Sequence, residues 1–144
     1  ASVAGQLAAL RSAGADIRYV KPHGALYHRT MDDEEQALAV LEGSRDLPVL
    51  GMSGRLLSLA AERGRRVWHE GFPDRGYAED GRLLPRDRPG ALVTDGARIA
   101  ERAVELAATV DSVCVHGDHP GAVEHARAVR RALLAAGHAL RGLV

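Results

Sequence analysis

Apolar residues along the chain follow two patterns, a helical spacing of three or four residues and short uninterrupted runs. The helical spacing predicts five helices, at residues 3–13, 33–42, 54–63, 97–108 and 121–136. The apolar runs predict five short strands, at residues 17–20, 47–51, 66–69, 112–116 and 138–140. Because strands separated by helices need crossover connections, this order predicts an α/β fold with a parallel sheet, either open or closed into a barrel.

Glycine marks the ends of three predicted helices. Gly14, Gly64 and Gly137 each follow a helical stretch, where a left-handed conformation ends the helix. The helix–strand alternation is interrupted at residues 72–93, which are rich in glycine and proline and have no helical period. The Glu-Asp-Gly sequence at 79–81 predicts the turn of a hairpin there, and long insertions of this kind often carry function.

Composition narrows the class of protein. Of the 144 residues, 46% are hydrophobic, which is enough for a packed core. The 19 basic and 19 acidic residues give a net charge of zero, which argues against a nucleic-acid partner. No apolar run reaches the length of a membrane span. The single cysteine, Cys114, excludes an internal disulfide and fits a reducing, cytoplasmic compartment.

Polar side chains follow the predicted strands at their C-terminal ends, the edge where parallel α/β folds bind ligands. After the first strand come Lys21, His23 and Gly24. They offer a cation for a carboxylate or phosphate, an imidazole that titrates near neutral pH, and close access to the backbone. The same residues also fit a loop with a solvated lysine and a structural histidine.

Two later strands are followed by acidic residues and a second histidine. Glu70 and Asp74 are candidates for a general base or a metal ligand, and Arg75 for two-point binding of a carboxylate. Asp74 and Arg75 equally fit a surface ion pair. His116 ends its strand, and Asp118 is equally suited to cap the next helix.

Several segments together resemble the LamB/YcsF family. The run VKPHGALY at residues 20–27 looks like a signature of that family, and EGFPDRGY at 70–77 is similar to its EGFADRAY segment. GRLLPR at 81–86 and PGALV at 89–93 match the next part of the family pattern, and VCVHGDHPGA at 113–122 resembles CVHGDTPGA. Pro73 and Gly76 replace alanines of the family pattern here, and His119 replaces a threonine.

The resemblance implies a (β/α) barrel-like fold of the glycoside hydrolase and deacetylase type, with residues 1–144 as the C-terminal portion of one barrel domain. Family members begin with an Asp-Leu-Asn-Cys-Asp-type strand and carry a Cys-Gly-x-His-Ala-Gly motif. Neither occurs here, so we expect an incomplete barrel that lacks its N-terminal strands. The implied role is that of the A subunit of ATP-dependent 5-oxoprolinase, which acts with subunits B and C to cleave 5-oxo-L-proline to L-glutamate.

On this basis each candidate side chain receives a role. The expected catalytic residues are His23, His116, Asp118, Glu70 and Asp74, and the expected substrate- or phosphate-binding residues are Lys21, Arg75, Gly24 and Gly117. The histidines would move protons, the lysine and arginine would hold carboxylate or phosphoryl oxygens, and the acids would orient a histidine or act as base. ATP would enter through the complex, and the need for a divalent metal stays open.

Two other functions fit the same residues. One is a metal-dependent deacetylase or amidohydrolase that uses His116, Asp118 and His23, which predicts a stoichiometric divalent ion. The other is a non-catalytic assembly module that docks to the partner subunits. It predicts unchanged activity of the complex when the strand-end residues are replaced.

Overall fold

The computed structural model describes residues 2–144, and in this part of the chain it has six helices and three strands. The helices are α1 (Val3–Ser12), α2 (Gly24–Arg29), α3 (Glu34–Ser44), α4 (Arg55–Glu62), α5 (Gly96–Leu106) and α6 (Ala122–Ala135). The strands are β1 (Val49–Gly51), β2 (Val67–Gly71) and β3 (Ser112–Val113). All five predicted helices are confirmed, because each has enough apolar residues on one face to pack against a neighbour.

The chain divides into two compact units, of which the first reaches to His69 and the second runs from Glu70 to Leu143. In the first unit, β1 pairs in parallel with the beginning of β2, and Leu50 lies opposite Trp68. In the second, the end of β2 pairs in parallel with β3, and Glu70 lies opposite Ser112. The predicted α/β class with parallel strand pairing is therefore confirmed.

Two of the five predicted strands are wrong and two are shorter than expected, whereas the strand predicted at 66–69 is confirmed as the longer β2. Residues 17–19 are not paired, and only Val20 forms a bridge, to Val49. Residues 138–140 form no strand, since the backbone N–H of His138 donates back to Leu133 at the end of α6. The strand predicted at 112–116 keeps only residues 112 and 113. An apolar run gives a strand only where a second strand lies beside it to complete the hydrogen-bond ladder.

Helix α2 was not predicted, because its six residues are too few to show a helical period. It begins at Gly24, whose φ of 60° favours glycine. The hydroxyl of Tyr27, on the same helix, accepts a hydrogen bond of 2.8 Å from the backbone N–H of Met52. This bond fixes α2 beside the end of β1.

Each unit has its own hydrophobic core. In the first, residues of α1, α3 and α4 pack around β1, with Ala37, Val49 and Ala60 fully buried. In the second, α5 packs against α6 through Ile99, Ala103, Val129 and Leu133. No helix among residues 2–144 is long and apolar enough to cross a membrane.

The hairpin predicted within residues 72–93 is confirmed. Antiparallel bridges join Arg75 to Leu92 and Tyr77 to Leu83. Gly81 closes the turn with a φ of 79°. The glycines predicted to end helices, Gly14, Gly64 and Gly137, also have positive φ values of 85°, 71° and 87°.

Candidate functional site

The centre of the candidate site is a pair formed by Asp74 and His116 in the second unit. The Nδ1 atom of His116 lies 3.0 Å from one carboxylate oxygen of Asp74 and 3.1 Å from the other. The backbone N–H of His116 also donates to Asp74, at 2.7 Å. One carboxylate therefore holds both the main chain and the ring of the same histidine.

This pairing determines which ring nitrogen of His116 is available for chemistry. A carboxylate only accepts hydrogen bonds, so Nδ1 must carry the proton that it shares with Asp74. In the neutral ring Nε2 is then an acceptor, which is the tautomer of a general base. The Asp74 side chain is 11% exposed and that of His116 is 27% exposed, so the acid is covered while the imidazole reaches solvent.

Phe72 supports the imidazole from one face. Its ring is stacked on that of His116 with centroids 5.4 Å apart and an angle of 28° between the planes. The backbone N–H of Phe72 donates to the hydroxyl of Tyr77 at 2.7 Å. Arg102 lies over the Tyr77 ring at 5.8 Å and donates to the carbonyl of Arg75 at 2.7 Å. These contacts restrict the position of the imidazole plane.

The pair lies in the wall of a small open cleft with a volume of about 60 Å³. The charged and imidazole side chains of this wall are Asp74, Arg75, Arg86, His116, Asp118 and His119, with His125 beside them. The rings of His119 and His125 stack with centroids 5.2 Å apart. The backbone N–H of Gly121 donates to Nδ1 of His119 at 3.0 Å, so that nitrogen acts as an acceptor.

Arg75 does not form the surface ion pair that the sequence allowed. The residue is only 4% exposed, and it donates to the carbonyls of Ala91 at 3.1 Å and Leu84 at 2.7 Å. Desolvation, followed by the nearby charge of Arg86, lowers the pKa of Arg75 below its ordinary value. Its hydrogen bonds hold together the two arms of the hairpin.

Asp118 pairs with Arg86 and does not cap α6. Helix α6 begins at Ala122 after Gly121, and no side chain caps its first turn. The Asp118 carboxylate accepts a hydrogen bond of 2.8 Å from Nη1 of Arg86. Desolvation raises the pKa of Asp118, but the hydrogen bond and charge of Arg86 outweigh it, and the net shift is downward.

The remaining predicted site residues are divided between the two units. Glu70 is 3% exposed in β2, and Gly117 comes directly after His116 with open space where a Cβ would lie. In the first unit, Lys21 is half-buried, and His23 is the exposed residue before α2, where its side chain makes no capping bond.

A further contact at the strand ends of the first unit joins the hydroxyl of Ser53 to Nδ1 of His69, at 3.1 Å. The N-cap position of α4 is Gly54, so Ser53 does not cap that helix. No group of three or more His, Cys, Asp or Glu side chains in residues 2–144 is arranged to hold a metal ion.

The sequence patterns do not indicate a role for Arg86, Phe72, Tyr77 or Arg102. The available signal for Arg86 was its place in the hairpin insertion, since such insertions often carry binding residues. Phe72 and Tyr77 lie in the same EGFPDRGY segment as Asp74. Arg102 lies on a helix and gave no signal, because only the fold brings it beside Tyr77.

Comparison with known proteins identifies the family. The model of the LamB/YcsF family matches residues 1–144. The chain belongs to the LamB/YcsF family. A relative from Streptomyces avermitilis, named as the A subunit of 5-oxoprolinase, is 49% identical over 95% of this chain and 64% of its own length. A protein of the same name from Mycobacterium avium is 47% identical over 98% of this chain and 65% of its own length.

A solved structure supports the fold. The lactam utilization protein from Thermus thermophilus superposes with a TM-score of 0.81 at 34% identity, over 96% of this chain and 64% of that protein. The LamB/YcsF chain described here thus spans less than two thirds of the length of the relatives it matches.

Proposed function

We propose that this chain belongs to the A subunit of an ATP-dependent 5-oxoprolinase, which cleaves 5-oxo-L-proline to L-glutamate. The observation that carries the proposal is the Asp74–His116 pair in the wall of an open cleft. Membership of the LamB/YcsF family and the names of the curated relatives support the same role. Since those relatives are longer, the proposal concerns the native protein that carries this chain.

The chemistry explains why such a site needs a base and anion binding. A lactam carbonyl is a weak electrophile because amide resonance stabilises it. Transfer of a phosphoryl group from ATP to the carbonyl oxygen would give a good leaving group. Water would then add to that carbon, and the ring C–N bond would break as the ring nitrogen takes a proton, which gives γ-glutamyl phosphate. A second water would displace inorganic phosphate from this acyl phosphate and give L-glutamate. These steps need proton transfer and stabilisation of negative charge.

His116 has the geometry for the proton transfers. With its Nδ1 proton shared with Asp74, its Nε2 atom takes a proton from the attacking water and can return it to the ring nitrogen. Asp74 stabilises the imidazolium that forms between these steps. Stacking on Phe72 restrains the ring, so that Nε2 keeps one direction. Asp74 is thus a positioning residue, and His116 is the acid–base group.

The residues of the first unit keep the roles that the resemblance suggests. Lys21 would hold an anionic group, His23 would be a second proton carrier, and Gly24 would give access to the backbone. In the second unit, Glu70 would add negative charge and Gly117 would leave space for a ligand. Arg75 fits a supporting role better than direct binding, because its guanidinium donates to two backbone carbonyls.

The proposal also covers the fold, the location and the partners of the native protein. We infer a (β/α) barrel for the native protein, of which this chain is one portion, and a cytoplasmic location. Subunits B and C would be its partners, and ATP would reach the site through their complex. The open question of a divalent ion is answered by elemental analysis of that complex.

The proposal is tested in the complex reconstituted from the native protein and its partner subunits. We expect His116→Ala and Asp74→Asn to lower glutamate formation from 5-oxo-L-proline by about 10²- to 10⁴-fold, the usual contribution of a positioned general base. His138→Ala is the matched control, because His138 belongs to the same unit and does not line this cleft. Wild-type rates in His116→Ala would contradict the proposal.

A further inference from the structure

We infer that Arg86 binds the carboxylate of the substrate in this cleft, through the Nε–Nη2 edge of its guanidinium. The inference rests on the proposed function and names a specificity residue for it. The two arginines of the cleft, Arg75 and Arg86, differ in what their guanidinium groups contact.

Arg75 has a structural role in the site. It is almost completely buried, and its Nε and Nη2 atoms donate to the carbonyls of Ala91 and Leu84. Leu84 lies two residues before Arg86, and Ala91 lies on the returning arm of the same loop. Both ends of the segment that presents Arg86 are therefore held by one buried guanidinium. Binding residues on a fixed loop lose less conformational entropy when a ligand arrives.

Arg86 has the donors that Arg75 lacks. Its side chain is 49% exposed and lines the cleft. Nη1 donates to Asp118 at 2.8 Å, and this is its one hydrogen-bonded ion pair within the described part of the chain. The bond orients the guanidinium plane and leaves the Nε–H and an Nη2–H side by side. Two parallel N–H groups are the arrangement that binds a carboxylate in two-point fashion.

The electrostatics of the cleft allow a further anion. Arg86 is close enough to Arg75 that, after desolvation, its charge is the next cause of the lowered pKa of Arg75. The two cations therefore reinforce one another's positive potential. The competing carboxylate of Asp118 is 59% exposed, so solvent screens its repulsion of a second anion.

The arrangement predicts how a small bifunctional substrate lies. Asp118 is two residues from His116, and the charge of His116 contributes to the lowered pKa of Asp118. Arg86 and His116 both line this cleft, so the proposed carboxylate-binding group and the base share one site. A lactam that carries a carboxylate can meet both at once, and a lactam without one cannot.

The test compares 5-oxo-L-proline with its carboxamide, 5-oxo-L-prolinamide, in titration calorimetry of the native protein. We expect the wild-type protein to bind the acid about 10- to 100-fold more tightly, as a charged hydrogen-bond pair provides. Arg86→Ala should remove this discrimination, and Arg86→Lys should restore part of it. Arg88→Ala is the matched control, because Arg88 is exposed on the same loop and does not line the cleft.

Each outcome decides the inference. Equal affinity for acid and amide in the wild type, no binding of the acid, or full discrimination in Arg86→Ala overturns it. A loss of inorganic phosphate binding in Arg86→Ala, with acid binding unchanged, would assign the site to a phosphoryl group and overturn the carboxylate. A complex that binds the acid through Arg86 but forms no glutamate contradicts the proposed function alone.

Discussion

Asp74 accepts three contacts from one residue, the backbone N–H of His116 and its ring Nδ1 at both carboxylate oxygens. The sequence indicated both residues as candidates from their places after predicted strands. It could not indicate that they pair, because 42 residues separate them. Only the fold brings Asp74 and His116 together.

Arg75 shows why residue type alone does not assign a role. An arginine beside an aspartate fits an ion pair or a ligand-binding fork equally well in sequence. In the structure its burial requires hydrogen-bond partners for its donors, and the carbonyls of Leu84 and Ala91 are the available ones. Exposure, which the sequence does not give, separates Arg75 from Arg86.

Tyr77 is predicted to stabilise the support behind the imidazole. Tyr77→Phe removes the acceptor for the backbone N–H of Phe72, so we expect the free energy of unfolding to fall by about 1–2 kcal/mol. The measurement is urea denaturation of the native protein. Tyr19→Phe is the control, since Tyr19 is exposed and its ring contact with Trp68 does not use the hydroxyl.

The contribution of Tyr77 to the free energy of unfolding should fall as pH rises. Burial raises the pKa of Tyr77, against the opposing effects of the Phe72 N–H and Arg102. The folded state therefore favours the neutral phenol. Its contribution to stability is complete below the ordinary tyrosine pKa of about 10 and is lost as pH rises through the folded value. A wild-type protein whose stability does not fall relative to Tyr77→Phe above that pH would contradict this.

At the scale of elements, helices were predictable and strands were less so. A helix satisfies its own backbone, so an apolar face at helical spacing, as at Ile99 and Ala103 of α5, is a sufficient signal. A strand depends on its neighbour. Residues 17–20 have the composition of a strand, yet only Val20 meets a partner.

The hairpin at residues 72–93 is predicted to depend on Gly76. The N–H of Gly76 donates to the carbonyl of Ala91, and its carbonyl accepts from Leu84. A Cβ at this position would overlap the carbonyl oxygen of Gly90 and approach the Leu84 side chain. The family pattern has alanine there, so the Gly90 arm lies closer in this chain than an alanine allows.

We therefore expect Gly76→Ala to lower the free energy of unfolding by about 1–3 kcal/mol, the usual cost of overpacking. Amide hydrogen exchange should show the loss at Gly76 and Leu84, whose N–H groups bond across the hairpin. Gly117→Ala is the control, because no atom lies within 4 Å of a Cβ at that position. If Gly76→Ala and Gly117→Ala have the same free energy of unfolding, the hairpin arms can move apart without loss of stability and the prediction is wrong.

At the scale of the whole molecule, membership of the family predicts the architecture better than any single segment does. The evidence for that membership is spread along the chain. The motifs that indicated it are spread over residues 20–122, and the family model matches the entire chain. The solved relative, at 34% identity, has the same fold over 96% of this chain. Such likeness carries the architecture, whereas the role of each side chain has to come from its contacts and its exposure.

A catalytic role and an assembly role differ in what they predict for the whole complex. Because Asp74 is largely covered and His116 is 27% exposed, replacing the imidazole alters little surface that a partner could contact. We expect His116→Ala to co-elute with the proposed partner subunits B and C in size-exclusion chromatography as the wild type does, while glutamate formation is lost. Retained turnover would favour the assembly module. If His116→Ala no longer co-elutes but has the same free energy of unfolding as the wild type, the partner contact lies at this cleft. His138→Ala is the control, which should co-elute as the wild type does.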